Sequence, residues 1–97
     1  APDILGHIWV YDDGVVKGMI RIVDLEIKEL YVDCFFQGQG IGADLMEFAK
    51  NKFSVSFLWA LEKNDGAIRF YMRHGFHKTD TKKFEEGTTE YLVLLER

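Results

Sequence analysis

The sequence predicts an α/β chain, more closely an α+β mixed sheet, with the element order βββαβαββ. Three observations predict it. Short β-branched and aromatic runs recur through the chain, bounded by glycine and acidic turn signals. Two stretches switch to helical spacing: Ile41, Leu45, Phe48, Ala49 and Phe53, and then Ala67, Ile68, Tyr71 and Met72. Between the third strand run and the first helix lies a glycine-dense turn, Gln37-Gly38-Gln39-Gly40-Ile41-Gly42-Ala43.

Taken in order, His7 to Tyr11 reads as a strand and Asp12-Asp13-Gly14 as a hairpin turn in which Gly14 supplies positive φ. Val15 to Val23 is the return strand. Gly18 interrupts it, which predicts a bulge or a close backbone approach. Asp24-Leu25 makes a second tight connection. Glu26 to Asp33 is a third strand, with Ile27, Leu30, Tyr31 and Val32 leaving no polar face at its end. These three make an antiparallel meander, and the aromatic run continues through Phe35 and Phe36 into the glycines.

The first helix begins at or near Gly42 and ends near Asn51-Lys52. Ser54 to Leu61 is the next strand, with Phe57 and Trp59 read as core. A helical crossover predicts that it runs parallel to the third strand and beside it. Asn64 or Asp65 caps the second helix, and Gly75 stops it. Phe76 to Phe84 and Thr89 to Leu95 are the last two strands, with Glu85-Glu86-Gly87 turning between them.

Ninety-seven residues make one domain, 1–97, and 47% hydrophobic residues with one proline suit a packed core. The net charge of −4 argues against nucleic-acid binding, which needs a basic face. The single Cys34 excludes an internal disulfide, and a reducing cytoplasm is the simplest setting. No apolar run reaches the roughly 18–20 residues that span a membrane, and no signal peptide is seen. The chain opens on Ala1-Pro2 without an initiator methionine, which reads as processing or as a fragment. His7, His74 and His77 lack metal-ligand spacing, so no metal site is expected.

Strand, glycine turn and helix together form an anion site. Glycines admit a ligand close to the backbone. The first turn of a helix presents N–H groups without partners, and the dipole favours phosphate. The spacing G-x-G-x-G is neither the dinucleotide fingerprint nor a P-loop.

The motif Gln37-x-x-Gly40-x-Gly42 resembles the Q/R-x-x-G-x-G/A pyrophosphate loop of the GNAT superfamily of N-acetyltransferases. A second stretch, Asn64-x-x-Ala67-x-x-Phe70-Tyr71-x-x-x-Gly75-Phe76, resembles that superfamily's N-x-x-A-x-x-F/L-Y-x-x-x-G-F pattern at every anchor. The resemblance covers nearly the whole chain. It departs at the front, where family members usually carry one more strand and two helices that shape the acceptor pocket. The exposed first hairpin is therefore a candidate surface for a partner or for a second copy in a homodimer.

The resemblance implies an acetyl-CoA-dependent N-acetyltransferase acting on a primary amine by direct attack in a ternary complex. It implies that the third and fourth strands splay apart and that pantetheine lies in the slot, paired with backbone groups of Leu30, Tyr31 and Val32. The N–H near Val32 would polarise the thioester carbonyl. Amides of Gln37, Gly38, Gln39, Gly40, Ile41, Gly42 and Ala43 would hold the pyrophosphate. Tyr71 would protonate the departing sulfur. Asn64 would bond the pantetheine arm or serve only as a helix cap. For the base, counting back eleven and nine residues from Gln37 lands on Glu26 and Lys28. Regular alternation turns Glu26 and Glu29 to opposite faces. Glu26 is favoured, and a bulge would switch the choice to Glu29. Trp59 stands where some ribosomal-protein acetyltransferases carry a glutamate, and a water chain is a further candidate. The alternative for the whole chain is a module of the same fold that binds acyl-CoA without turnover. The acceptor amine is not specified by any residue pattern.

Overall fold

The computed structural model describes residues 7–97. The elements are β1 (His7–Asp12), β2 (Val16–Val23), β3 (Glu26–Val32), a 3-10 turn (Cys34–Phe36), α1 (Ile41–Phe53), β4 (Phe57–Leu61), α2 (Asp65–Arg73), β5 (His77–Phe84) and β6 (Tyr91–Glu96). The predicted order βββαβαββ stands, and the class is a mixed α+β fold with two helices. The chain divides into two compact units, one ending at Val55 and the other running from Ser56 to Arg97.

In the first unit, β1, β2 and β3 form an antiparallel meander. Gly14 turns the first hairpin at φ +110°, and its N–H donates to Asp12 Oδ1 at 2.8 Å. Asp24 turns the second with φ +53°. Gly18 is a close approach with a bulge beside it: Tyr11 faces Gly18 and Asp12 faces Val16, so Lys17 is an extra residue opposite β1, and a Cβ added to Gly18 would stand 2.8 Å from the Tyr31 carbonyl oxygen and 3.2–3.3 Å from Ile41 and Leu45 of α1. That face of the meander therefore lies against α1. Ile20, Ile22, Ile27, Ile41, Leu45, Met46, Ala49 and Val55 are buried, and each of them larger than Ala49 contributes about 1.5–3 kcal/mol when fully removed from water. Trp9 packs edge-on to Phe48 with ring centroids 5.3 Å apart.

A second bulge lies in β3. Ile22 faces Ile27 while Arg21 faces Glu29, so Lys28 is an extra residue in the ladder. The residue row along β3 changes face there. Only Ile27 of β3 is fully buried, and Tyr31 is 58% exposed. The strand also stops sooner than predicted. Asp33 Oδ1 accepts from Phe35 N at 2.9 Å and the Asp33 carbonyl accepts from Phe36 N at 2.9 Å, which curls the chain into the 3-10 turn. A local side-chain acceptor thus overrides the β preference of the aromatic run.

In the second unit, β4 pairs with β6 and β6 with β5, both antiparallel. β4 begins at Phe57, three residues later than expected, because α1 runs on to Phe53 and Ser54 closes it in the left-handed region at φ +53°. The buried row of β4 is Leu58 and Ala60; Phe57 and Trp59 take the half-buried row, and the Lys83 ammonium sits 4.2 Å from the Trp59 ring centre. Phe76, Val93 and Leu95 are fully buried. Lys82 pairs with Glu62, whose hydrogen bond holds the ammonium pKa above its ordinary value.

Candidate functional site

The glycine turn is built for close approach. Gly38 and Gly40 stand at φ +84° and +81°, which L side chains rarely adopt, and nothing lies within 4 Å of where their Cβ atoms would be. Gly40 caps α1 with no side-chain hydrogen bond, and its carbonyl takes the first helical bond from Asp44 N at 3.0 Å. The amides of Ile41, Gly42 and Ala43 precede that bond and have no intrahelical acceptor. Gln37, Gly38, Gln39 and Gly40 are exposed. The exposed loop and the half-buried helix start together present a row of N–H donors at the positive end of a 13-residue helix. The helix starts at Ile41, one residue before the predicted glycine.

The backbone of β3 is divided by register. Asp33 N donates to the Lys17 carbonyl at 2.8 Å, which makes Lys17 and Asp33 a hydrogen-bonded pair. Two residues along, Met19 and Tyr31 are the next such pair. Gly18 with Val32 and Ile20 with Leu30 are the intervening pairs, so the N–H and C=O of Leu30 and Val32 point away from β2. Of the three residues expected to pair with a ligand backbone, Tyr31 is spent on β2, while Leu30 and Val32 are turned outward. The Val32 carbonyl accepts from Gln37 Nε2 at 3.2 Å.

The bulge at Lys28 corrects the expected placement of the two carboxylates. Glu26 faces Val23 and Glu29 faces Arg21, and both lie on the face of the meander turned away from α1. They do not face opposite ways. They differ in surroundings instead. The Glu26 side chain is 14% exposed and pairs with Lys28 at 3.2 Å; that of Glu29 is 57% exposed and pairs with Arg21 at 3.1 Å. The sequence raised this bulge only as the condition that would switch the base to Glu29, and no residue in Glu26-Ile27-Lys28-Glu29 signals it. Sequence reasoning missed the 3-10 turn, for which Asp33 two residues before Phe35 was a readable Asx signature.

In the second unit, Asn64 is the cap of α2, its Oδ1 accepting from Ala67 N at 3.1 Å. Its amide nitrogen is not used by the cap. Tyr71 lies on α2 with ring centroids 5.4 Å from Phe70 and 6.3 Å from Phe76. Burial among them raises the hydroxyl above the ordinary tyrosine pKa. Such a group stays protonated at neutral pH and keeps a proton to donate. Gly75 ends the helix at φ +96°. Lys50 and Lys63 pair with Glu47 and Glu90 at 3.0 and 2.7 Å. Cys34 is exposed and unbridged. Among the described residues no group of three or more His, Cys, Asp or Glu could hold a metal, and no helix is long and apolar enough to cross a membrane.

A family model described as the acetyltransferase (GNAT) domain matches residues 5–78, which include both the glycine turn and the α2 motif. The chain belongs to the GNAT family. A peptidyl-lysine N-acetyltransferase of Escherichia coli, YiaC, is 31% identical to it over 74 residues, 74% of this chain and 51% of that protein. An uncharacterized N-acetyltransferase of Methanocaldococcus jannaschii is 41% identical over 63 residues, 60% of this chain and 28% of that protein. This GNAT chain thus spans 28–58% of the length of the curated relatives it matches. Its fold is similar to that of Arabidopsis thaliana Naa50, solved with the bisubstrate analogue CoA-Ac-MVNAL, at a TM-score of 0.77 and 21% identity, covering 93% of this chain and 71% of that one. Other structures of similar fold were solved with coenzyme A or acetyl coenzyme A.

Proposed function

We propose that this chain forms the cofactor-binding and catalytic part of an acetyl-CoA-dependent N-acetyltransferase that acetylates a primary amine. The observation that carries the proposal is the continuity of donors in the first unit. The outward backbone of Leu30 and Val32 leads, through one short turn, into the amides of the exposed glycine loop and of α1. An arm bearing amides and ending in a pyrophosphate matches that sequence of partners.

In the proposed reaction the amine nitrogen attacks the thioester carbonyl carbon, the carbon–sulfur bond breaks, and the sulfur leaves with the bonding pair. The Val32 N–H, directed outward, is the proposed donor to the carbonyl oxygen as charge develops there. Tyr71 is the proposed acid that protonates the sulfur. A thiol pKa of about 8.5 makes that help useful but modest. The amine must first lose a proton, since a lysine-like amine of pKa about 10.4 is almost wholly charged at neutral pH. Glu26 stays the proposed base although a bulge was expected to switch the choice to Glu29, because the bulge leaves both carboxylates on one face and Glu26 is the more covered of the two and the one the motif spacing selects. Glu29, on the same face, is the competing choice. Asn64 is the proposed donor to the pantetheine arm through its amide nitrogen. The setting is proposed to be the cytoplasm.

A calorimetric titration with acetyl-CoA tests the reading, with Gly40→Glu alongside. The expected result is micromolar binding that the substitution abolishes. A folded chain that binds no acetyl-CoA would overturn the reading. Binding without turnover on any amine would leave a regulatory acyl-CoA module.

A further inference from the structure

We propose that the Gln37 side chain is a built-in place-holder for the pantetheine arm, held on the Val32 carbonyl until the arm displaces it. The proposal rests on the acetyl-CoA reading above and adds a conformational step to it. Its starting point is an outward carbonyl that a side chain of the same loop has already claimed. Val32 is the last residue of β3, and register turns its carbonyl away from β2. Gln37 Nε2 donates to that oxygen at 3.2 Å.

The contact depends on how the intervening turn is built. Asp33 accepts from Phe35 and Phe36, closing one tight 3-10 turn over Cys34–Phe36. Gln37 follows in extended conformation, φ −66° and ψ 150°, which aims its side chain back along the strand just left. Its primary amide is chemically the same donor as the amide N–H of pantetheine. A carbonyl that accepts one can accept the other, and the outward edge of β3 offers few acceptors. Gln37 is exposed, so the exchange needs only a side-chain rotation and no movement of the core. Once released, the same NH2 group stands beside Gly38 and Gly40, where it can donate to a phosphate oxygen. One residue thereby couples the two halves of the ligand: the arm frees the donor that the phosphates use.

The device predicts different responses for two ligand fragments. With Gln37→Ala, pantetheine meets no competitor at the Val32 carbonyl, and its affinity should rise about three- to tenfold, the span of one net hydrogen bond. Inorganic pyrophosphate added alone finds that donor still held on Val32 and should bind the variant and the wild type with nearly equal affinity, losing affinity in the variant only when pantetheine is present. NMR titration of the 97-residue chain with each fragment, with the two together and with acetyl-CoA reads both, and equal thermal midpoints establish that the variant is folded. In the wild type, the Gln37 side-chain NH2 resonances should shift on adding pantetheine alone. Acetyl-CoA binding with pantetheine affinity unchanged or weakened in the variant overturns the place-holder and leaves the cofactor reading intact. Absence of acetyl-CoA binding by both proteins overturns both.

Discussion

Gly18 and Tyr31 touch across the β2–β3 ladder so closely that a methyl group on Gly18 would stand 2.8 Å from the Tyr31 carbonyl oxygen. On the same side, Ile41 and Leu45 of α1 close the remaining space at 3.2 and 3.3 Å. The backbone at Gly18 is under no φ restriction that singles out glycine, so the requirement is for room alone. The first turn of α1, which carries the proposed phosphate amides, is thereby seated on β2, the strand paired with the one that carries the proposed pantetheine partners. Gly18→Ala should cost about 1–3 kcal/mol, as overpacking does, and should loosen acetyl-CoA binding with it. Urea unfolding measures the first and calorimetry the second. An unchanged urea midpoint would mean that β2 and α1 part without cost.

Asn64 offers a separation of structure from binding. Its oxygen caps α2 and its nitrogen is the proposed ligand donor. Asn64→Asp keeps the capping oxygen and removes the donor; Asn64→Ala removes both. The alanine variant should lose about 1 kcal/mol of stability. The aspartate variant should unfold like the wild type yet raise the KM for acetyl-CoA. Equal KM values in Asn64→Asp and the wild type would leave Asn64 a cap and nothing more.

Tyr71→Phe keeps the ring packing against Phe70 and Phe76 and removes the hydroxyl. Because the leaving thiol is already acidic, kcat should fall by about 10- to 100-fold, below the upper range for general acids. The raised tyrosine pKa also carries a stability signature. Below about pH 10, the ordinary tyrosine value, the hydroxyl is neutral in both folded and unfolded chains and stability is unaffected. As pH climbs past that value the unfolded chain ionises first, so stability falls until the higher folded pKa is passed. Tyr71→Phe should flatten that part of the alkaline loss, measured by urea unfolding from pH 8 to pH 11. A loss of equal depth in both proteins would place Tyr71 in contact with water.

Glu26 and Glu29 can be told apart because the bulge leaves them on one face with different partners. Glu26→Gln should lower kcat/KM by about 100-fold, as loss of a general base does, and Glu29→Gln by far less. The reverse order would move the base to Glu29 and Arg21. Equal small effects would leave proton removal to water.

Much of the fold is local in origin, and that part was legible. Gly14, Gly75 and Gly87 stop or turn their elements because each stands at positive φ. Asn64 caps α2 because its side-chain oxygen reaches the Ala67 amide within one turn. The Gln37-to-Gly42 motif and the Asn64-to-Phe76 motif located the candidate site for the same reason: their spacings are fixed within single connections. Tertiary structure alone decided what depends on pairing with distant residues. The Lys28 bulge exists only as a mismatch between β2 and β3, so alternation counted along β3 put Glu29 on the wrong face. The half-buried rows of Phe57 and Trp59 depend on which side of β4 its neighbours cover. The division of β3 into an inward Tyr31 and outward Leu30 and Val32 depends on the phase of its ladder with β2, and a ladder's phase is a property of two strands that neither strand's residues record.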